Sequence, residues 1–250
     1  VGEAGGSAMN DLDYTVHYRR FHDCTETHAE QVAESHARSL KPHLPPDRSA
    51  PILDIGCGYG FALRALRNLG YTNIAGLETS PQQAEQCRKA GFPVAVAQNT
   101  AAWLQAHSKQ YSFVILMDVL EHLPVASQVQ FARAMYCSLS SNGRAFVTVP
   151  NANSIIAPRW RYIDYTHHSS FTEHSLFFVL RNAGFPDISI SRDKGICRPS
   201  IRLWKSESRN TWRRMIVRWL WLQVYKAELS RDQIKDISLG LNLTALASKS

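Results

Sequence analysis

Three glycines at alternate positions, Gly56, Gly58 and Gly60, follow the apolar run Ile52-Leu53-Asp54-Ile55, with Asp54 two residues before the first of them. Glycine lets a chain turn sharply and brings backbone amides close to a ligand with no Cβ between. The helical pattern that begins at Phe61 puts those amides at a helix N-terminus, where they point outward. Such a loop suits a nucleoside cofactor. Glu78, about twenty residues on, is placed to accept two hydrogen bonds from ribose hydroxyls. Further along, Asp164 and His167 are separated by two residues, and His168 follows. A histidine, with an ordinary pKa of about 6.5, can take a proton near neutrality, and an acid beside it can fix its tautomer. His167 is therefore the expected general base and Asp164 its orienter, with His168 as the rival.

These residues need a scaffold that gathers them. Strands are expected at 51–55, 73–77, 93–97, 111–117 and 143–149, with helices at 61–69, 81–90, 100–107 and 126–139. Strand-helix alternation of this kind builds a parallel sheet covered on both faces. Right-handed crossovers then carry ligands to the C-terminal strand ends, where the glycines and acids fall. Ser80 with Pro81, and Thr172 with Gly184, mark helix ends.

Two cofactor classes use a glycine-rich turn after a strand. A dinucleotide loop wants glycine or alanine at 61, where Phe61 stands. The D-x-G-x-G-x-G pattern instead resembles motif I of class I S-adenosylmethionine-dependent methyltransferases. Asp118-Val-Leu-Glu121-His122-Leu resembles a segment of small-molecule and glycan methyltransferases. No N-P-P-Y-like segment follows the strand, which argues against a DNA or glutamine amino-methylating enzyme. Asp164, Thr166, His167, Phe171, Thr172, Ser175 and Leu176 match the D-x-T-H-x-x-x-F-T-x-x-S-L signature of methyltransferases associated with lipopolysaccharide, capsule and O-antigen synthesis.

The resemblance implies a doubly wound, mostly parallel sheet of about seven strands, the last antiparallel, and S-adenosyl-L-methionine as cofactor. It implies a cofactor-binding set of Asp54, Gly56, Cys57, Gly58, Gly60, Glu78, Thr79, Asn99, Thr100, Asp118, Val119 and His122, with Tyr18 and Arg19 from a segment before motif I. Asn99 stands where the family usually has an aspartate for the adenine amine. The acceptor it implies is a sugar hydroxyl in a bacterial surface polysaccharide or glycolipid. A small natural-product or quinone-like acceptor is one alternative, and a non-catalytic cofactor-binding partner is another.

The 250 residues are 44% hydrophobic, enough for one globular core. The first eight residues look like a cloning remnant, 9–50 a helical cap, and 51–250 the methyltransferase domain. Five cysteines without a C-x-x-C pair suggest a reduced, cytoplasmic protein, and no apolar run reaches the length of a membrane span. No cluster of acids with hard-cation spacing accompanies the histidines, so no metal is expected.

Residues 192–231 hold eleven basic side chains against three acids, an excess of +8 where the whole chain carries +7. Trp212, Met215, Ile216, Trp219 and Leu220 recur there at helical spacing among Arg209, Arg213, Arg214 and Arg218. Such a helix over 205–228 would lie on an anionic membrane surface, which would put the chain at the inner face of the cell membrane, or meet an acidic glycolipid. Otherwise it packs on its own domain or on a homodimer mate. No nucleic-acid reader is apparent, so that partner is not expected.

Overall fold

The structure is a computed structural model that describes residues 19–22, 25–191, 206–235 and 237–250, with 206–210 described as backbone only. A seven-stranded sheet runs through it, with strands in the order 94–96, 74–78, 52–55, 111–117, 139–150, 242–248 and 187–191. The chain divides into two compact units, residues 1–103 and 104–250.

In the first unit, helix α1 (Glu26–Leu40) precedes strand β1 (Ile52–Ile55), helix α2 (Phe61–Asn68), strand β2 (Ile74–Glu78), helix α3 (Pro81–Lys89) and strand β3 (Val94–Val96). β1 pairs parallel with β2, and β2 with β3. All four residues of β1 are buried, as a strand covered on both faces requires. Helix α2 buries Phe61, Ala62, Leu63, Ala65 and Leu66, an apolar side that turns the polar Arg64 and Asn68 the other way. There Arg64 reaches Glu26 at 2.6 Å and Glu30 at 2.8 Å, and Asn68 reaches Glu30 at 3.0 Å, so α1 is strapped to α2. Ser80 caps α3 through Gln83 N, with Pro81 at its first position.

Helix α4 (Thr100–Ala106) begins in the first unit and ends in the second, which continues with strand β4 (Tyr111–Met117), helix α5 (Val125–Ser138), strand β5 (Leu139–Pro150), helix α6 (Ala157–Tyr162), helix α7 (Glu173–Ala183), strand β6 (Asp187–Ser191), helix α8 (Ser206–Glu228), helix α9 (Arg231–Lys235) and strand β7 (Asn242–Ser248). β4 and β5 are parallel, while β7 runs antiparallel between β5 and β6. Strand β5 starts at Leu139, four residues before the expected edge, because the buried Leu139 pairs with Tyr111 before the register shifts and resumes at Phe113 and Arg144. Thr172 and Ser175 close a capping box on α7, worth about 1 kcal/mol, and Gly184 ends it at φ 116°.

The expected N-terminal cap is helical over Glu26–Leu40, and the basic element is helical over Ser206–Glu228. Tyr14, Tyr18, Arg192, Lys194, Arg198, Arg202 and Lys205 lie outside the described residues. Helix α8 is held by one side: Trp221 Nε1 and the Tyr225 hydroxyl both donate to the Asn153 carbonyl, at 3.0 and 3.2 Å. Trp212, Ile216, Trp219, Leu220 and Val224 are exposed. Self-packing therefore accounts for part of its apolar surface.

Candidate functional site

The first unit carries the glycine loop and the acids Asp54 and Glu78. Gly56, Gly58 and Gly60 have φ of 71°, 51° and 81°, a left-handed conformation that side-chain-bearing residues rarely adopt. Gly60 is also closed sterically, since a Cβ there would sit 2.6 Å from Cys87 Sγ and 3.2 Å from the Phe92 ring. Gly76 on β2 makes room for Cys57 in the same way, because its Cβ would meet Cys57 Sγ at 2.5 Å.

Glu78, at the end of β2, locks this loop. Its Oε2 accepts from Gly58 N at 2.9 Å, and its Oε1 accepts from Thr79 N at 2.8 Å and Ser80 N at 2.9 Å. A carboxylate offers about four acceptor sites, so Oε2 retains one for a hydroxyl. Asp54 is buried beside it. Loss of water, then the charge of Glu78, pushes the Asp54 carboxyl up to about 8. Buried acid at the strand ends and left-handed glycines fit a ligand that brings hydroxyl donors and positive charge, as S-adenosylmethionine does.

Asn99 serves the backbone: its Oδ1 accepts from Ala102 N at 3.0 Å and so caps α4, which leaves the oxygen one further lone pair. Thr100 Oγ1 turns back to the Ala97 carbonyl at 3.4 Å. Arg19 is exposed in a turn. In the same segment His22 and His28 pack on Phe61, with ring centroids 5.1 and 5.8 Å away.

The second unit gathers the acids and histidines. Past β4 the chain turns at Asp118, whose φ is 55°, and its Oδ1 accepts from Thr148 Oγ1 at 3.3 Å and Asn242 Nδ2 at 3.4 Å. Val119 leads into a 3-10 turn over Leu120–His122. That turn is tied to the loop before α7: His168 N donates to the Glu121 carbonyl at 2.7 Å, and Gln128 Nε2 donates to Ser169 Oγ at 2.9 Å and the Leu123 carbonyl at 3.1 Å.

This tie sets three side chains in a row. Asp164 Oδ1 accepts from Thr166 N at 2.8 Å and from Thr166 Oγ1 at 2.7 Å, and Thr166 Oγ1 lies 2.7 Å from His122 Nδ1. A hydroxyl has one hydrogen. With that hydrogen given to Asp164, Thr166 accepts from His122, so the His122 proton sits on Nδ1 and Nε2 is its basic atom. His167 is fixed separately, with Nδ1 3.1 Å from the Trp160 carbonyl oxygen. The two rings meet edge to face, their centroids 4.6 Å apart.

The sequence expectation paired Asp164 with His167. A side-chain path runs from Asp164 through Thr166 to His122, and the Asp164 carbonyl receives the His167 backbone N–H at 3.3 Å. His168 is exposed. Beside this row Glu121 is fully buried, and burial, then the charges of Asp118 and Asp164, push its carboxyl well above the carboxylate range.

Residues 25–190 match the model of the methyltransferase domain family. The chain belongs to that family. It is similar to ubiquinone biosynthesis O-methyltransferases: 27% identical over 174 residues to that of Cereibacter sphaeroides (strain ATCC 17025), covering 64% of this chain and 69% of that one. The enzyme of that name from Dinoroseobacter shibae is 30% identical over 127 residues, which span 49% of this chain and only 50% of the relative. A SAM-dependent methyltransferase of Archaeoglobus fulgidus shares the fold at a TM-score of 0.67 and 19% identity, over 95% of this chain and 100% of that one. Phosphoethanolamine N-methyltransferase 2 of Haemonchus contortus, solved with S-adenosyl-L-methionine, does so at 0.56 and 15%, over 86% and 52%. With the motif I loop formed, this methyltransferase is an S-adenosylmethionine-dependent enzyme. No helix among its described residues is long and apolar enough to cross a membrane.

Proposed function

We propose that this methyltransferase transfers a methyl group to a hydroxyl on a quinone-like ring, and that the hydroxyl is activated at the cluster of Glu121, His122 and His167. The names of its ubiquinone-biosynthesis relatives support the acceptor class. The observation that carries the choice of oxygen is the Asp164–Thr166–His122 path, since a hydroxyl must surrender a proton as its oxygen attacks carbon.

Each of the chain's residues then has a task. Gly56, Gly58 and Gly60 shape the donor loop, Glu78 holds it and offers its carboxylate to the ribose, and Asp54 adds a buried acid. When bound, S-adenosylmethionine supplies a methyl group on a sulfonium, whose sulfur keeps the electron pair of the broken bond. Thr166 keeps the His122 proton on Nδ1, and Asp164 stabilises the positive charge the ring gains when Nε2 receives a proton.

A sugar hydroxyl is the second reading. The 161–176 segment carries the glycan-enzyme resemblance, and it exposes Tyr162 and Tyr165, at 77% and 92%, as flat surfaces beside Asp164. Mass spectrometry on a panel of catechols, hydroxyquinols, nucleotide sugars and primary amines separates these outcomes. A gain of one methyl on a ring hydroxyl is expected. Methylated sugar would replace the acceptor, and methylated amine alone would overturn transfer to oxygen.

A further inference from the structure

Gln128, in the first turn of α5, is only 2% exposed, and its amide nitrogen is committed on three sides. Nε2 donates to the Leu120 carbonyl at 3.2 Å, to the Leu123 carbonyl at 3.1 Å and to Ser169 Oγ at 2.9 Å. Carbonyl oxygens only accept, so the nitrogen and not Oε1 must face them. Its two hydrogens then serve three acceptors, one of them shared.

The two carbonyls bracket Glu121 and His122. The 3-10 turn that carries this pair holds itself through His122 N to the Val119 carbonyl at 3.0 Å and Leu123 N to the Leu120 carbonyl at 3.3 Å, with no side-chain cap. Bonds of this kind have poor geometry, and such turns are short. Helix α5, by contrast, is seated by the buried Phe131, Ala132 and Met135. Gln128 therefore ties a weak turn to a firm helix. Its third acceptor, Ser169, follows His167 by two residues and Thr166 by three, so the same amide also holds the loop that carries the partners of His122.

This clamp sets the seat of the His122 ring. His122 Nδ1 stands 2.7 Å from Thr166 Oγ1, and the His122 and His167 rings meet at 4.6 Å. A shift of about 1 Å takes such a contact outside hydrogen-bond range, and a misplacement of that size costs on the order of 10²-fold in rate. We infer that Gln128 is a positioning residue for methyl transfer, whose amide fixes His122 against Thr166 and thereby keeps the ring proton on Nδ1 and the basic lone pair on Nε2. It acts through His122 and not on the acceptor. The kinetic part of this role rests on the proposed use of His122, whereas the placement of the ring does not.

Nuclear magnetic resonance of the full chain with isotope-labelled histidine reads the ring without any acceptor, so its result stands whether or not the acceptor class is right. The His122 signal, assigned by its loss in His122→Ala, should show a proton on Nδ1 that exchanges slowly with water. Gln128→Met, close in size but without donors, should lose that protection, and turnover should fall by about 10- to 100-fold with S-adenosylmethionine affinity unchanged. Ser169→Ala cuts one arm of the clamp and serves where Gln128→Met does not fold; it should lower turnover by about fivefold, the worth of one neutral hydrogen bond. A lower melting temperature in Gln128→Met with the Nδ1 proton still protected and turnover at the parental level would make Gln128 a packing residue and overturn the role. Ser169→Ala indistinguishable from the parent in both readouts would overturn it too. Loss of protection in Gln128→Met with turnover unchanged would overturn the proposed use of His122 instead.

Discussion

The Nδ1 atom of His122 lies 2.7 Å from the Thr166 hydroxyl, whose own proton goes to Asp164 at 2.7 Å. Forty-four residues separate the first pair, and the sheet topology brings them together by placing the turn after β4 beside the loop after β5. A carboxylate thus reads the tautomer of a histidine through one hydroxyl. Several consequences can be measured.

Glu78 joins the glycine loop to the strand end, so its loss removes the brace on Gly58 N and, on the proposed function, a ribose acceptor. Glu78→Ala should weaken S-adenosylmethionine binding by about 1–3 kcal/mol, the range for a charged hydrogen-bond acceptor. Glu78→Gln should recover part of it. Calorimetry with the demethylated product, which cannot react, gives the value directly.

Asp54 sets a pH dependence of stability. Its ordinary value is 3.8 and the folded chain raises it to about 8, so the native state binds this proton more tightly than the unfolded one. The stabilisation is complete below about 4 and is lost as pH rises toward 8. The ligand-free protein should therefore lose melting temperature from this group across that window, and Asp54→Asn should flatten the slope. An unchanged slope in the variant would place the titration elsewhere.

Gly60 is the loop position least able to accept a side chain, with φ 81° and Cys87 Sγ 2.6 Å from where a Cβ would stand. Gly60→Ala should destabilise the fold by about 2 kcal/mol, combining left-handed strain with a forced shift of the buried Cys87. Gly70, also left-handed at φ 87° but with open space around it, should cost less on the same substitution, through backbone strain alone. Chemical denaturation of the two variants compares them.

Strand ends and helix caps were legible in the sequence because their causes are local. Gly56, Gly58 and Gly60 announce a left-handed turn, and Thr172, Ser175 and Gly184 announce a helix by chemistry confined to their neighbours. The link from Asp164 to His122 was not legible by the same means. Nearness in sequence pointed to His167, and the intervening Thr166 also sets its hydroxyl between Asp164 and a histidine from another part of the chain. The signal was present as the threonine of D-x-T-H, whose single hydrogen can go only one way. Asn99 shows the opposite limit: a polar residue at a strand end can serve a ligand or a helix cap, and only its neighbour Ala102 reveals the cap. Periodicity along α8 marked an apolar helix but could not tell which face Trp221 and Tyr225 would anchor.

The central claim, that a hydroxyl is activated at the cluster oriented by Asp164 through Thr166, is tested most directly by turnover of the His122→Ala protein. With S-adenosylmethionine affinity measured and unchanged, turnover on the methylated acceptor should fall by about 10² to 10⁴, the usual contribution of a positioned activating group. Thr166→Val should fall by less, because the ring remains and only its orientation is loosened. Near-parental turnover in His122→Ala, with His168→Ala inactive, would contradict the account and move the chemistry to the exposed histidine.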